Sequence, residues 1–282
     1  MLDGVRIGFV GSGAMAEAMI KGLLDRRLVT PERITAAGPR PERGAELRER
    51  YGIAVTTDNA ASVAGAGVVV LSVKPQMLGR VMPALKGAIA PDALVLSIVA
   101  GARMAIIEHG LAHPAMVRSM PNTPAQIGLG ITVWTASDAV TPAQREQARA
   151  VLTALGEEVF VDDEGYLDMA TALSGTGPSY VFLFMEALVD AGVHLGFPRY
   201  LAERLVLDTV HGSVEYARHA GHHLARLRNQ VTSPGGTSAE ALYYLEKAGF
   251  RTALSRAVWA AYQRSVQLGR GRKRSAVEEE TA

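Results

Sequence analysis

The chain of 282 residues contains no cysteine. That absence excludes disulfides, thiolate metal sites and a cysteine nucleophile. Neither sign of charge is in excess: 29 Lys and Arg stand against 28 Asp and Glu, a formal net charge of +1. No electrostatic case for a nucleic acid or an anionic membrane as partner follows from such a balance. No apolar run reaches membrane length, since the greasiest stretch, Tyr180 to Val193, is too short and is interrupted by Glu186 and Asp190. The opening residues lack a basic region, an apolar core of signal length and a cleavage site, so a cytoplasmic location is the expectation. No G-x-S-x-G elbow is present. His219 and His223 have i,i+4 spacing, but Gly221 lies between them and no acidic partner completes a set, so no metal is expected. What remains, 48% hydrophobic and 20% charged residues, is the composition of a globular protein long enough for about two domains.

The stretch from Val5 to Leu24, VRIGFVGSGAMAEAMIKGLL, organises the first of them. Val5, Ile7, Phe9 and Val10 read as a strand, Gly11, Gly13 and Ala16 fall on the G-x-G-x-x-G/A spacing, and a helix runs on through Ile20 and Leu24. In that pattern the first glycine permits the turn, the second lets a pyrophosphate approach the backbone, and the small third residue lets helix and strand pack closely. The helix N-terminus adds unpaired N–H groups and a positive dipole end. The bland alternative is a glycine-rich βα turn that binds nothing. A second strand at Ile34 to Ala37 ends in Gly38-Pro39-Arg40, with Arg43 one turn further on and no carboxylate before Glu42. An acidic residue about 20 positions past the glycines selects NAD, and arginine suits the 2′-phosphate of NADP, so NADPH is favoured and NADH is expected to serve more weakly. The competing reading makes the two arginines solvated residues of a surface helix.

Further apolar, β-branched runs at Val68 to Val73, Leu94 to Val99 and Met116 to Ser119 stop at Lys74-Pro75-Gln76, Ala100-Gly101 and Pro121-Asn122-Thr123-Pro124. Strands alternating with helices predict a parallel, doubly wound sheet whose ligands gather at the carboxyl ends of the strands, where these breakpoints lie. Thr141-Pro142-Ala143-Gln144 has the capping-box pattern of a helix reaching about Leu155, and Glu158 to Val161 is the last expected strand. The pattern then changes near Asp162 to Glu164, which gives a dinucleotide-binding domain over 1–163 and a helical domain over 164–268. Ser174 to Pro178 reads as a flexible breaker, followed by helices at Tyr180 to Val193, Pro198 to Ala220, Ala239 to Lys247 and Thr252 to Leu268. The first of these is apolar on nearly all sides, which points to a second subunit covering it or to a central place within one chain. The tail, 269–282, is expected to be disordered. Thr232-Ser-Pro-Gly-Gly-Thr-Ser238 offers several N–H and O–H donors at a helix start, a cradle for a small carboxylate or a plain N-cap.

Set side by side, these segments resemble pyrroline-5-carboxylate reductase. The carrying motifs are IGFVGSGAMAEAMIKGLL, SVKPQ from Ser72, SIVAGA from Ser97, RSMPNTPAQIGLG from Arg118, ALSGTGPSYVFLFMEALVDAGVHLG from Ala172 and VTSPGGTSAEAL from Val231. The resemblance implies an α/β fold with an N-terminal Rossmann-type doubly wound sheet followed by an all-α dimerisation domain, with the active site between the domains. It implies NADPH-dependent reduction of 1-pyrroline-5-carboxylate to L-proline in a dimer, with a ring of dimers as a further assembly. By the same implication Val10, Gly11, Ser12, Gly13, Ala14 and Met15 line the pyrophosphate; the end of the second strand, read above, adds Gly38 and Arg40 beside the ribose phosphate. Asn59, Ser72, Val73, Lys74 and Pro75 take the adenosine side, and Val99 and Ala100 the nicotinamide side. Glu164, Ser174, Gly175, Thr176 and Gly177 border the substrate, Gly235 and Gly236 hold its carboxylate, and Thr237 or Ser238 bonds the ring nitrogen and relays its proton. Two departures from the usual pattern stand out: Ala14 where the family has Asn or Gln, and Ser238 where it has threonine. The alternatives are another NADP-linked reductase of a related imine or keto acid and a non-catalytic NADP-binding protein.

Overall fold

A computed structural model of the protein describes residues 2–269. They form two compact units, one of residues 2–176 with 261–269 and one of residues 177–260. The first is built on a single eight-stranded sheet of β1 (Ile7–Val10), β2 (Ile34–Ala37), β3 (Ala54–Thr56), β4 (Val68–Leu71), β5 (Leu94–Ser97), β6 (Met116–Met120), β7 (Gly130–Ala136) and β8 (Gly156–Phe160). Its order is β3-β2-β1-β4-β5-β6-β7-β8. The helices of this unit are α1 (Ala14–Asp25), α2 (Pro41–Tyr51), α3 (Asn59–Val63), α4 (Pro75–Leu85), α5 (Met104–Leu111), α6 (Pro142–Thr153) and α7 (Gly165–Ala170).

The hydrophobic pattern explains the layers. On one face Ile7 and Phe9 pack with Met19, Ile20 and Leu23 of α1 and Val151 of α6, around a fully buried Trp134. On the other, Val69 and Leu71 pack with Leu85, Ile107 and Leu111. Every residue of β4 and β5 is buried, as strands covered by helices on both faces require. The capping box expected at Thr141 is formed: its hydroxyl accepts from the Gln144 N–H and the Gln144 side chain accepts from the Thr141 N–H.

The sheet departs from the all-parallel expectation at one place. β7, which the alternating pattern passed over, pairs antiparallel with β6, with Arg118 opposite Thr135 and Ser119 opposite Trp134. The link over 121–129 is too short for the crossover that a parallel neighbour needs, so the chain reverses instead. The expected break over Ser174–Pro178 is narrowed to a bend at Thr176. Thr171–Gly175 is a π-helical turn continuing α7, and Gly177 begins the next helix. Three hydroxyls turn back onto this segment: Thr171 Oγ1 donates to the Leu167 carbonyl at 2.7 Å, Ser174 Oγ to Ala170 at 3.0 Å and Thr176 Oγ1 to Thr171 at 2.8 Å. At Leu167 and Thr171 they add a second donor to a carbonyl that already accepts a backbone N–H, from Thr171 and Thr176 respectively.

The second unit is helical: α8 (Gly177–His194), α9 (Arg199–Ala220), α10 (Leu224–Gln230), α11 (Thr237–Lys247) and the opening of α12 (Phe250–Gly269), whose residues from 261 belong to the first unit. α10 is the helix of this unit that the sequence did not reveal. Of the expected tail, Gly269 closes α12 and 270–282 lie outside the described residues.

Candidate active site

Strand order reverses at the β1–β4 neighbours, the place where an open α/β sheet opens a crevice at its carboxyl ends. Val10 ends β1 fully buried, and Gly11 follows with φ +109°, a conformation that L side chains rarely adopt. A Cβ at Gly11 would lie 2.7 Å from the Ser72 carbonyl oxygen, while the Ser72 hydroxyl donates to the Gly11 carbonyl at 2.9 Å. Ser12 fills the space that a side chain on Gly38 would need, its hydroxyl lying where the Cβ would be. Gly13 is the N-cap of α1, with no side-chain cap bond, and a Cβ built there meets nothing within 4 Å. Ala14 and Met15 open the helix, whose first N–H groups have no intrahelical acceptor and no side-chain cap. Val10 to Met15, Gly38 and Ser72 are thus brought together, and their cradle fits the pyrophosphate of a dinucleotide.

The remaining strand ends surround this turn less closely. Asn59 is the first residue of α3, whose N-cap is Asp58, and its carbonyl accepts from Ser62 Oγ at 2.8 Å. Val73 is half-buried, Lys74 is the exposed N-cap of α4 and Pro75 its first residue. Val99 is buried, its N–H donating to Ser97 Oγ at 3.2 Å, and Ala100 follows half-buried. Behind them, a Cβ at Gly101 would lie 2.9 Å from Leu268 Cβ, so the last turn of α12 backs this loop. Arg40 precedes α2 and is exposed. Arg43 is instead held against α1, pairing with Glu17 and donating from Nε to the Ser12 carbonyl at 3.1 Å. Burial opposes ionisation of Glu17, but hydrogen bonds from Arg43 and Tyr51 and the charges of Arg43 and Arg50 outweigh it, so its pKa is lowered.

A second polar cluster lies around Glu164, which precedes α7. Its carboxylate accepts from Arg118 Nη1 and from the Met104 N–H, both at 2.8 Å. Arg118 is 2% exposed and also reaches Asp168 at 3.3 Å. Asp168 accepts further from Arg103 at 3.3 Å and from Ser265 Oγ of α12 at 2.9 Å. Burial and the neighbouring Glu164 charge push the Glu108 carboxyl up. Arg118, Asp168, Ser265 and Glu17 were not identified from the sequence as working residues. The signal was present for two of them: Arg118 sits inside the apolar run MVRSM, and Asp168 in LDMA. A charge within a buried pattern needs a partner.

In the helical unit, Gly235 has φ +70° and Gly236 is the N-cap of α11. The hydroxyl residues therefore do not cap the helix: Thr237 and Ser238 are its first two residues, Thr237 exposed and Ser238 half-buried. The Gly236 N–H donates to the Ser233 carbonyl at 3.1 Å, and Ala239 and Glu240 donate to the Gly236 carbonyl. That leaves the N–H groups of Thr237 and Ser238 without intrahelical acceptors and gives the helix an uncapped positive end. Among the described residues, no group of three or more His, Cys, Asp and Glu could hold a metal.

Comparison with known proteins agrees with both halves of this geometry. The family profile "Pyrroline-5-carboxylate reductase dimerisation" matches residues 164–268, and "NADP oxidoreductase coenzyme F420-dependent" matches residues 6–101. The pyrroline-5-carboxylate reductase of Synechocystis is 41% identical over 94% of this chain and 99% of its own length. That of Pseudomonas aeruginosa is 42% identical over 93% and 96%. The crystal structure of Plasmodium falciparum pyrroline carboxylate reductase with NADP bound superposes with a TM-score of 0.87 at 30% identity, over 94% of this chain and 98% of that one. A glycine turn beneath an uncapped helix, a TSPGGTS loop opening a late helix, and full-length identity above 40% place this chain in the pyrroline-5-carboxylate reductase family.

Proposed function

We propose that this chain reduces 1-pyrroline-5-carboxylate to L-proline with NADPH, the last step of proline biosynthesis, and that NADH serves it more weakly. The observation that carries the reading is similarity to pyrroline-5-carboxylate reductases along nearly the whole length of both chains, at 41% identity for the Synechocystis relative. We assign cofactor binding and the sheet to 1–163, substrate binding and dimerisation to 164–268, and no catalytic part to 269–282. Self-association follows from the matched dimerisation profile. A ring of dimers and a cytoplasmic location belong to the same reading, and the net charge of +1 gives nucleic acid no foothold.

In this assignment the uncapped N–H groups of α1 and the turn Gly11-Ser12-Gly13 hold the pyrophosphate, with Val10, Ala14 and Met15 along it. Gly38 makes room beside Ser12, and Arg40 faces the 2′-phosphate. Asn59 and Ser72 to Pro75 border the adenosine ribose, and Val99 and Ala100 the nicotinamide. When bound, the reduced nicotinamide supplies the hydride. The N–H groups of Thr237 and Ser238, opened to the ligand by Gly235 and Gly236, anchor the substrate carboxylate, while the Thr237 or Ser238 hydroxyl bonds the ring nitrogen and carries its proton. Glu164 and Ser174-Gly175-Thr176-Gly177 border the ring. A protonated cyclic imine is already electrophilic, so holding it in place contributes most of the acceleration.

The test follows NADPH absorbance with 1-pyrroline-5-carboxylate, its six-membered homologue and small 2-keto acids. The five-membered imine is expected to be consumed fastest, with proline as product. Preference for the homologue or for a keto acid would reassign the chain to a related reductase, and no turnover with any of them would make it a binding protein.

A further inference from the structure

The sequence offers two cations, Arg40 and Arg43, for the 2′-phosphate that separates NADP from NAD, and the structure treats them differently. Arg40 is exposed and its guanidinium makes no hydrogen bond or ion pair with any described residue. Arg43 uses all three of its nitrogens: Nε donates to the Ser12 carbonyl at 3.1 Å, Nη1 to Glu46 at 2.9 Å and Nη2 to Glu17. Glu17 is shared with Arg50 at 2.5 Å and with Tyr51 Oη at 2.9 Å. Two arginines and two carboxylates cancel in formal charge, so a phosphate approaching Arg43 meets a compensated cluster. At Arg40 it meets an uncompensated cation.

We propose that Arg43, held by Glu17, positions the phosphate turn and takes no part in binding the 2′-phosphate, so that discrimination between NADPH and NADH rests on Arg40. The inference depends on the NADPH reading above. The peptide joining Ser12 and Gly13 is planar and trans, so its C=O and N–H point in opposite directions. Arg43 fixes the carbonyl side. The Gly13 N–H is thereby turned the other way, and the added-Cβ position at Gly13 has nothing within 4 Å. Ser12, packed beside Gly38, is fixed by its side chain as well. Without the bond from Arg43 the plane turns about ψ of Ser12 and φ of Gly13, and the glycine on that side restricts it little. NADPH and NADH share the pyrophosphate, so both lose affinity by the same factor.

Calorimetric dissociation constants for NADPH and NADH on the full-length wild type and on Arg43→Met, Glu17→Gln and Arg40→Met test this. A lost hydrogen bond from a charged donor corresponds to about tenfold, so Arg43→Met should weaken both dinucleotides about tenfold and keep their ratio within about twofold of wild type. Glu17→Gln retains the arginine and its Nε bond, which guards against a folding defect, and should weaken both together by a smaller factor. Arg40→Met should weaken NADPH about tenfold and leave NADH unchanged. If Arg43→Met weakened NADPH alone, Arg43 would be a phosphate ligand and the proposal would be overturned. Tighter NADPH binding in Glu17→Gln would overturn it too, by exposing a cation that the carboxylate had withheld, as would unchanged affinities in Arg43→Met. Failure of the underlying NADPH reading shows separately, as a wild type that binds neither dinucleotide or prefers NADH.

Discussion

Gly11 and Gly38 lack the same methyl group for different reasons. Gly11 needs a φ of +109° and would clash with backbone at Ser72, which cannot yield, whereas Gly38 gives space to a side chain, that of Ser12. The G-x-G-x-x-G/A spacing made the first legible in the sequence, because it encodes backbone conformation. Nothing local encodes the second, which exists only when β1 and β2 lie side by side. Glu17 belongs to the same class: its partners Arg43, Arg50 and Tyr51 come from another helix. With a folded-state pKa lowered from the ordinary 4.5, Glu17 stabilises the fold fully above that pH, and the contribution is lost as pH falls through the depressed value. The stability gap between wild type and Glu17→Gln should therefore be widest near about pH 7 and close progressively below about pH 4. Urea midpoints at fixed protein concentration across that range measure it. A gap that stays constant into acid would mean that the carboxylate's charge is not what stabilises this contact.

At the scale of elements, the strands with all-apolar or β-branched runs were readable, because burial on both faces leaves a mark in the residues themselves. β7 carries a similar mark, Ile-Thr-Val-Trp-Thr, but the expected alternation of strand and helix left it no place. α10 spans seven residues between a glycine turn and the Ser-Pro-Gly-Gly loop, too few to show a helical period. The π-helical turn was concealed by its composition, since Ser, Gly and Pro read as a break unless the hydroxyls are seen to bond backwards. The ion cluster around Asp168 ties β6, the start of α5, α7 and the end of α12 together, through side chains at 4% and 2% exposure for Asp168 and Arg118. Removing one member of a buried pair costs about 3–5 kcal/mol, because the charge left behind loses its compensation. Here Glu164 still pairs with Arg118, which points to the lower end of that range for Asp168→Ala. Ser265→Ala removes one hydrogen bond and should cost about 1.5 kcal/mol. Denaturant unfolding of both variants separates the two. Equal and small losses would show that the cluster is already hydrated and holds these elements together weakly.

For the whole molecule the telling quantity is the apolar surface of the helical unit. Its buried hydrophobic residues are Val189, Ala202 and Leu227, while on α8 alone Val181, Phe182, Leu183, Phe184 and Leu188 stay exposed, Leu183 at 66%. A unit with so small a core cannot offset its own ordering entropy. Each large apolar side chain taken fully out of water contributes about 1.5–3 kcal/mol, so covering this face on two copies supplies several kcal/mol toward the entropy cost of association. This meets the matched dimerisation profile from an independent direction. Because folding and association are then linked, the melting temperature of the wild type should rise with protein concentration. Leu183→Glu places a charge on that surface, where burial would cost it dearly. The variant is expected to sediment as a monomer at micromolar concentration and to melt below the wild type. If it sedimented like the wild type, and if melting ignored concentration in both, the exposed face of α8 would not be the surface through which the copies associate, and the stability of the helical unit would need another source.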